Sequence, residues 1–149
     1  MSAARASLAR PVKEVVTSFA SPDAWERLTA LMTARLILEN GDELSPQIFD
    51  EAAKLLRDSD DDCRWQAAIV LGVFIDEDPE RVWNAVEEFG PTADPDLQEI
   101  LWTTLMEHLL DQHHSRFKLR AQGLAKQSPV FAHILEMSWR FGRFRRRCR

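Results

Sequence analysis

Glu107, His108, Asp111 and His114 are the residues whose types and spacing come closest to a chemical site in this chain. Imidazole and carboxylate groups are ligands for transition metals, and separations of four and seven put Glu107, Asp111 and His114 on one helix face. The same group suits a solvated helix end, where polar side chains and a cationic histidine are favoured. We read it that way and expect neither a metal nor another cofactor. His133 stands alone and reads as a surface residue or a satisfied core residue. No nucleophile signature is present. There is no glycine-rich phosphate loop, no C-x-x-C pair and no H-E-x-x-H, and the serines mostly sit where helices begin. A chain without catalytic activity is expected.

Helices must position these residues, because strand-forming material is thin. Tyrosine is absent and β-branched residues are sparse, whereas strands favour Val, Ile, Thr and aromatics in alternation. Helix starts are legible throughout. Ser21-Pro22-Asp23 opens a helix to about Glu39, stopped by Asn40-Gly41, with the glycine expected in a left-handed exit. Ser45-Pro46 opens the next, to about Arg57. Asp60-Asp61-Asp62 starts a third, ending near Ile75. Asp78-Pro79-Glu80 starts a fourth, closed by Gly90-Pro91. Asp94-Pro95-Asp96 opens a fifth to about Asp111. A sixth covers roughly His113 to Ala125, and Ser128-Pro129 opens a seventh ending at Gly142. A further helix is placed at Leu8 to Phe19.

These starts recur. Asp60, Asp94 and Ser128 are each 34 residues apart. That shift superposes Cys63, Leu97 and Phe131, then Ala67, Leu101 and Leu135, then Leu71, Leu105 and Trp139, one apolar face each time. Ser21-Pro22 joins the series at an offset of 39, with the surplus in the Asn40–Leu44 loop. Helix pairs recurring near this period mark an α-solenoid, in which each hairpin leaves an apolar face for its neighbour to cover.

One unit is more specific. Leu55-Leu56-Arg57-Asp58-Ser59-Asp60, followed by Cys63-Arg64-Trp65-Gln66-Ala67-Ala68-Ile69-Val70-Leu71-Gly72, resembles a HEAT repeat: leucines, an aspartate turn, an apolar-Arg pair, Ala-Ala and Leu-Gly. The resemblance implies an all-α fold, a short right-handed α-solenoid of about four hairpins. It also implies that Arg64 pairs with Asp58 or Asp60. The next unit departs from the pattern, with Gln98 for the arginine and Leu101-Trp102 for the alanines. The stretch Asp96 to Gly142 is similar to small bacterial HEAT-like proteins with no established activity.

A chain of 149 residues, 45% apolar and 29% charged, suits one folded domain rather than a disordered chain. We place that domain at 1–142, with a basic tail at 143–149 expected to be flexible. The longest apolar run, Ala67 to Ile75, is too short to cross a bilayer. Cys63 and Cys148 lie far apart and read as free thiols of a reducing compartment. The basic, Ala/Ser-rich start at Met1 to Arg10 lacks the apolar block of a secretory signal, so a cytoplasmic protein is expected. The formal charge of −5 is unevenly spread: residues 39–99 carry 18 acids against 4 bases, and residues 112–149 carry 10 bases against 1 acid. Such polarity steers charged partners, or complements a second copy.

The tryptophans point to recognition. Trp25, Trp83 and Trp139 fall in core phase. Trp65 lies with Ile69 and Val73 on a separate stripe, so it is either enclosed or an anchor for a partner. The expected function is a protein–protein interaction module, a scaffold, adaptor or immunity-like inhibitor. Its concave surface would use Trp65, Ile69 and Trp102, with Asp61 and Asp62 as an acidic rim for a basic partner. The alternative is nucleic-acid binding through Arg140, Arg143, Arg145, Arg146 and Arg147, interleaved with Phe141 and Phe144. HEAT-like DNA-alkylation-repair glycosylases share the architecture implied, but they use a basic groove, and the middle of this chain is acidic.

Overall fold

The structure is a computed structural model that describes residues 3–41 and 43–141, with side chains from Pro11 onward. Among those residues every regular element is helical: α1 (Ala3–Ser18), α2 (Ala24–Asn40), α3 (Pro46–Lys54), α4 (Asp61–Gly72), α5 (Pro79–Phe89), α6 (Pro95–Ile100), α7 (Glu107–Gln127) and α8 (Pro129–Phe141). Short 3-10 turns follow α3 and α5, and a π-helical segment, Leu101–Met106, joins α6 to α7.

The punctuation read from the sequence is realised as caps. Asp60 accepts from the Cys63 amide at 2.9 Å, Asp94 from Leu97 at 2.8 Å and Ser128 from Phe131 at 3.1 Å. Asp23, Ser45 and Asp78 cap α2, α3 and α5 in the same way. Each such bond satisfies an amide that the first helical turn leaves without a partner. Replacing Asp94 by alanine is therefore expected to cost about 1 kcal/mol of stability. Asp96→Ala, in the first turn but not at the cap, is expected to cost a few tenths. Comparing the urea midpoints of the two variants checks this.

The apolar positions that the 34-residue shift aligns are nearly all buried. Cys63, Ala67, Leu71, Leu97, Leu101, Leu105 and Phe131 are all at most 1% exposed, and Leu135 is buried. Trp139, the last of the series, is half-buried with its ring on His114 at 5.8 Å.

Four boundaries differ from expectation. The first helix begins at Ala3 rather than Leu8. Gly41 is extended (φ −90, ψ 154) rather than left-handed. A β-carbon there would stand 2.9 Å from the Ile37 carbonyl oxygen, so close approach, not handedness, requires the glycine. The third helix, α4, ends at Gly72 and gives way to turns before α5. The fifth and sixth helices run together, and the break expected between them is a kink at His113 (φ −129, ψ 37). Two threonines in the π segment bond back to carbonyls of α6. Thr103 and Thr104 donate their hydroxyls to the carbonyls of Glu99 and Ile100, both at 2.6 Å.

The chain divides between Val73 and Phe74 into two compact units. In the first, α1 packs on α2 and α3, and α4 packs on α2 and α3. The hairpins α1/α2 and α3/α4 thus lie first helix to first helix and second helix to second helix. In the second unit, α5 contacts α7 and the π segment, while α8 contacts α7, α6 and the π segment. Its centre is Trp83, 1% exposed, stacked on Phe117 at 5.6 Å and edge-on to Phe131 at 6.2 Å. Gly90 lets the chain pass this cluster, since a β-carbon there would meet Phe131 at 2.8 Å.

Candidate functional site

Four of the five expected partner-binding residues are placed together on α4. Asp61 and Asp62 are exposed in its first turn, and Trp65 and Ile69 are half-buried. Asp61, Trp65 and Ile69 recur every four residues and so share a face. Trp102 lies in the second unit, half-buried, its ring 5.9 Å from that of Phe141. Arg140 is exposed on α8 and pairs with Glu136 at 2.8 Å. Arg143, Arg145, Arg146, Arg147 and Cys148 lie outside the described residues.

Of the residues closest to a metal site, His108 is drawn into another contact, as is the neighbouring His113. His108 Nδ1 lies 2.8 Å from the Thr104 carbonyl and His113 Nε2 3.0 Å from that of Ile75. Among the described residues, no group of three or more His, Cys, Asp or Glu is placed to hold a metal ion. His133 is exposed on α8.

Cys63 is fully buried and donates its thiol to the Ala24 carbonyl at 3.5 Å. Burial, with a hydrogen bond to Asp60 and the charges of Asp58 and Asp60, pushes its pKa up to about 11. A thiol reacts as its thiolate. In a Cys148→Ser background, Cys63 is therefore expected to resist iodoacetamide at about pH 8 and to label within minutes in urea, read by mass.

The turn before α4 is held by an ion pair that sequence reading passed over. Arg27 Nε and Nη2 grip both oxygens of Asp58 at 2.8 and 2.9 Å, and Arg27 Nη1 also donates to the Ser21 carbonyl. The Asp58 carboxylate additionally accepts the Asp60 amide at 2.8 Å. Burial works to raise its pKa. The hydrogen bonds from Arg27 and Asp60, with the charges of Arg27 and Arg64, outweigh it and hold the group below the ordinary carboxylate value. The fork on Asp58 comes from Arg27 of α2; Arg64, expected to pair with Asp58 or Asp60, is buried, its charge acts on Asp58, and its Nε donates to the Leu56 carbonyl. The signal was available: Arg27 stands in phase with Leu31, Ala34 and Leu38, the buried stripe of α2. An arginine on an apolar stripe needs a carboxylate.

A second surface was missed altogether. Trp25, placed in the core by its phase, is 71% exposed, and Met32 and Leu36 of the same helix are 51% and 58% exposed. Helical spacing brings Trp25, Thr29, Met32 and Leu36 onto one face of α2. Beside them, α1 and α2 enclose a groove of about 400 Å³. Val15 and Ala30 form its apolar part, Trp25 and Thr29 a wall, and Glu14 and Glu26 carry carboxylates into the lining. The face was hard to read because α2 is apolar almost all round. The two threonines at 29 and 33 are its signal.

The described residues thus define an all-helical protein in which no helix is long and apolar enough to cross a membrane. No family model, curated protein or solved structure matches the chain.

Proposed function

We propose that this chain is a non-catalytic protein-interaction module of the HEAT type, a short right-handed α-solenoid of about four hairpins that binds a partner on its second helices. The observation that carries the reading is the face of α2, where Trp25, Met32 and Leu36 are each more than half exposed. Large apolar side chains in a row on one helix mark a contact surface, and tryptophan supplies much of the energy at such surfaces. In a HEAT arrangement, α2 and α4 are the second helices of successive hairpins. They would offer Trp25, Met32 and Leu36 beside Trp65 and Ile69, with Asp61 and Asp62 at the rim. The capped 34-residue period and the stacking of hairpins within each unit support that arrangement. A scaffold, an adaptor and an immunity-like inhibitor all use such a surface.

Affinity capture from the native source tests the proposal, with wild type, Trp65→Ala and Trp25→Ala in parallel. A stoichiometric partner lost in either variant is expected. A partner kept equally by both would remove these helices from the interface.

One observation favours nucleic acid as a second reading. The paired rings of Trp102 and Phe141, the latter 63% exposed, stand at the end of α8 beside Arg140. Five more arginines follow in the sequence. Aromatic faces and arginines bind single strands in a salt-dependent way. Filter binding at low and high salt, with and without residues 143–149, separates the readings. Loss of binding on truncation alone would assign the effect to the tail.

A further inference from the structure

We infer that the exposed face of α2, with the α1–α2 groove beside it, receives a basic amphipathic helix of a protein partner, with a lysine or arginine lying over the Trp25 indole. The inference rests on the interaction-module reading and adds the chemistry of the partner.

The occupant's shape follows from the spacing on α2. Trp25, Thr29, Met32 and Leu36 are separated by four, three and four residues, the rhythm with which one helix meets another along a seam. At 1.5 Å per residue, Trp25 to Leu36 spans roughly 16 Å, so about three turns of a partner helix cover the stripe. No strand exists among the described residues to pair with an extended peptide. Recognition must then come from side chains in a groove, the way amphipathic helices are bound.

The occupant's charge follows from what surrounds Trp25. Glu14 and Glu26 line the groove, and no base does among the described residues. Asp23 is exposed at the start of α2, two residues from Trp25. The Glu26 carboxylate is held in place by the Ser21 hydroxyl. Of the described bases nearby, Arg27 is engaged on Asp58 and Arg35 on Glu39 at 2.7 Å, while Lys13 stands exposed on α1 next to Glu14, outside the groove lining. A cation set on an indole face beside a carboxylate gains both cation–π and charge attraction. Phosphate and anionic lipid would meet the same carboxylates as repulsion, which leaves a basic protein segment as the occupant.

The test uses the full chain and two synthetic 14-residue helical peptides with the same leucine stripe. One carries lysine and arginine along its edges, the other glutamate. By fluorescence anisotropy the basic peptide is expected to bind, and the acidic one at least tenfold more weakly. Trp25→Ala is expected to weaken the basic peptide roughly 30-fold. Glu26→Gln should weaken it several-fold and flatten its salt dependence. Trp25 is largely exposed, so its variant should keep the wild-type thermal midpoint, which shows that the fold is intact.

Three results would overturn the inference. They are equal binding of the two peptides, no binding of the basic peptide up to about 1 mM, and a concentration-dependent dimer abolished by Trp25→Ala, which would make a second copy the occupant. A native partner that depends on Trp65 but not on Trp25 would also end this inference, while leaving the interaction-module reading intact.

Discussion

Trp83→Ala is expected to destabilise the second unit by about 3–5 kcal/mol, the largest single effect in the molecule. The indole is 1% exposed and sits between Phe117 and Phe131, with the Arg120 guanidinium 5.2 Å from its ring. Truncation forfeits the transfer energy of the ring and leaves a cavity that two helices and a buried phenylalanine pair close only in part. It also removes the platform under Arg120, which, with Arg116, holds Glu80. Urea denaturation followed by near-UV circular dichroism measures the loss. Trp83→Phe is the informative control. It keeps an aromatic ring between its neighbours and deletes Nε1–H, which is buried with no hydrogen-bond acceptor among the described residues. Deleting an unsatisfied donor offsets part of the lost volume, so this variant should cost less than half as much as alanine. Equal costs for the two variants would show that ring packing is not what the site contributes.

Asp58→Ala should be the most damaging change in the first unit, at about 2–3 kcal/mol near neutral pH. Its side chain is 7% exposed, and removal strands the Arg27 fork and releases the Asp60 amide from the turn that leads into α4. The pH dependence gives the signature. The folded-state pKa lies below the ordinary value of 3.8. The carboxylate's contribution is therefore complete above about pH 4, and it disappears as pH falls through the lowered folded value. Wild type and Asp58→Asn should differ at pH 7, and the difference should shrink as pH falls through the lowered folded value. A double-mutant cycle with Arg27→Ala should recover a coupling that fades over the same range. A stability difference unchanged between pH 7 and pH 3 would assign the effect to packing instead of charge.

Helix starts and the buried stripes were legible because both are local. Asp60, Asp94 and Ser128 each cap an amide three residues on, and a four-residue step on an amphipathic helix is a face before any partner is known. Trp25 and Arg27 show where that ends. On α2, apolar residues occupy nearly every phase, so periodicity alone does not tell the stripe that packs from the one left in water. Trp25 went to the wrong side, and the long-range partner of Arg27, 31 residues away, has no trace in spacing. The kink at His113 falls where a boundary was expected, whereas nothing in the apolar spacing marks the π segment before it.

By itself, the amino-acid order determined an all-helical chain, the capped starts of most of its helices, and apolar stripes that are buried. These follow from capping chemistry and a fixed rise per residue, which act over a few positions. Tertiary structure decided which side of α2 meets protein and which meets water, which carboxylate Arg27 grips, and that a groove opens between α1 and α2. Those outcomes depend on which distant segment arrives to cover an apolar surface or pair a charge, and that is set by packing between helices.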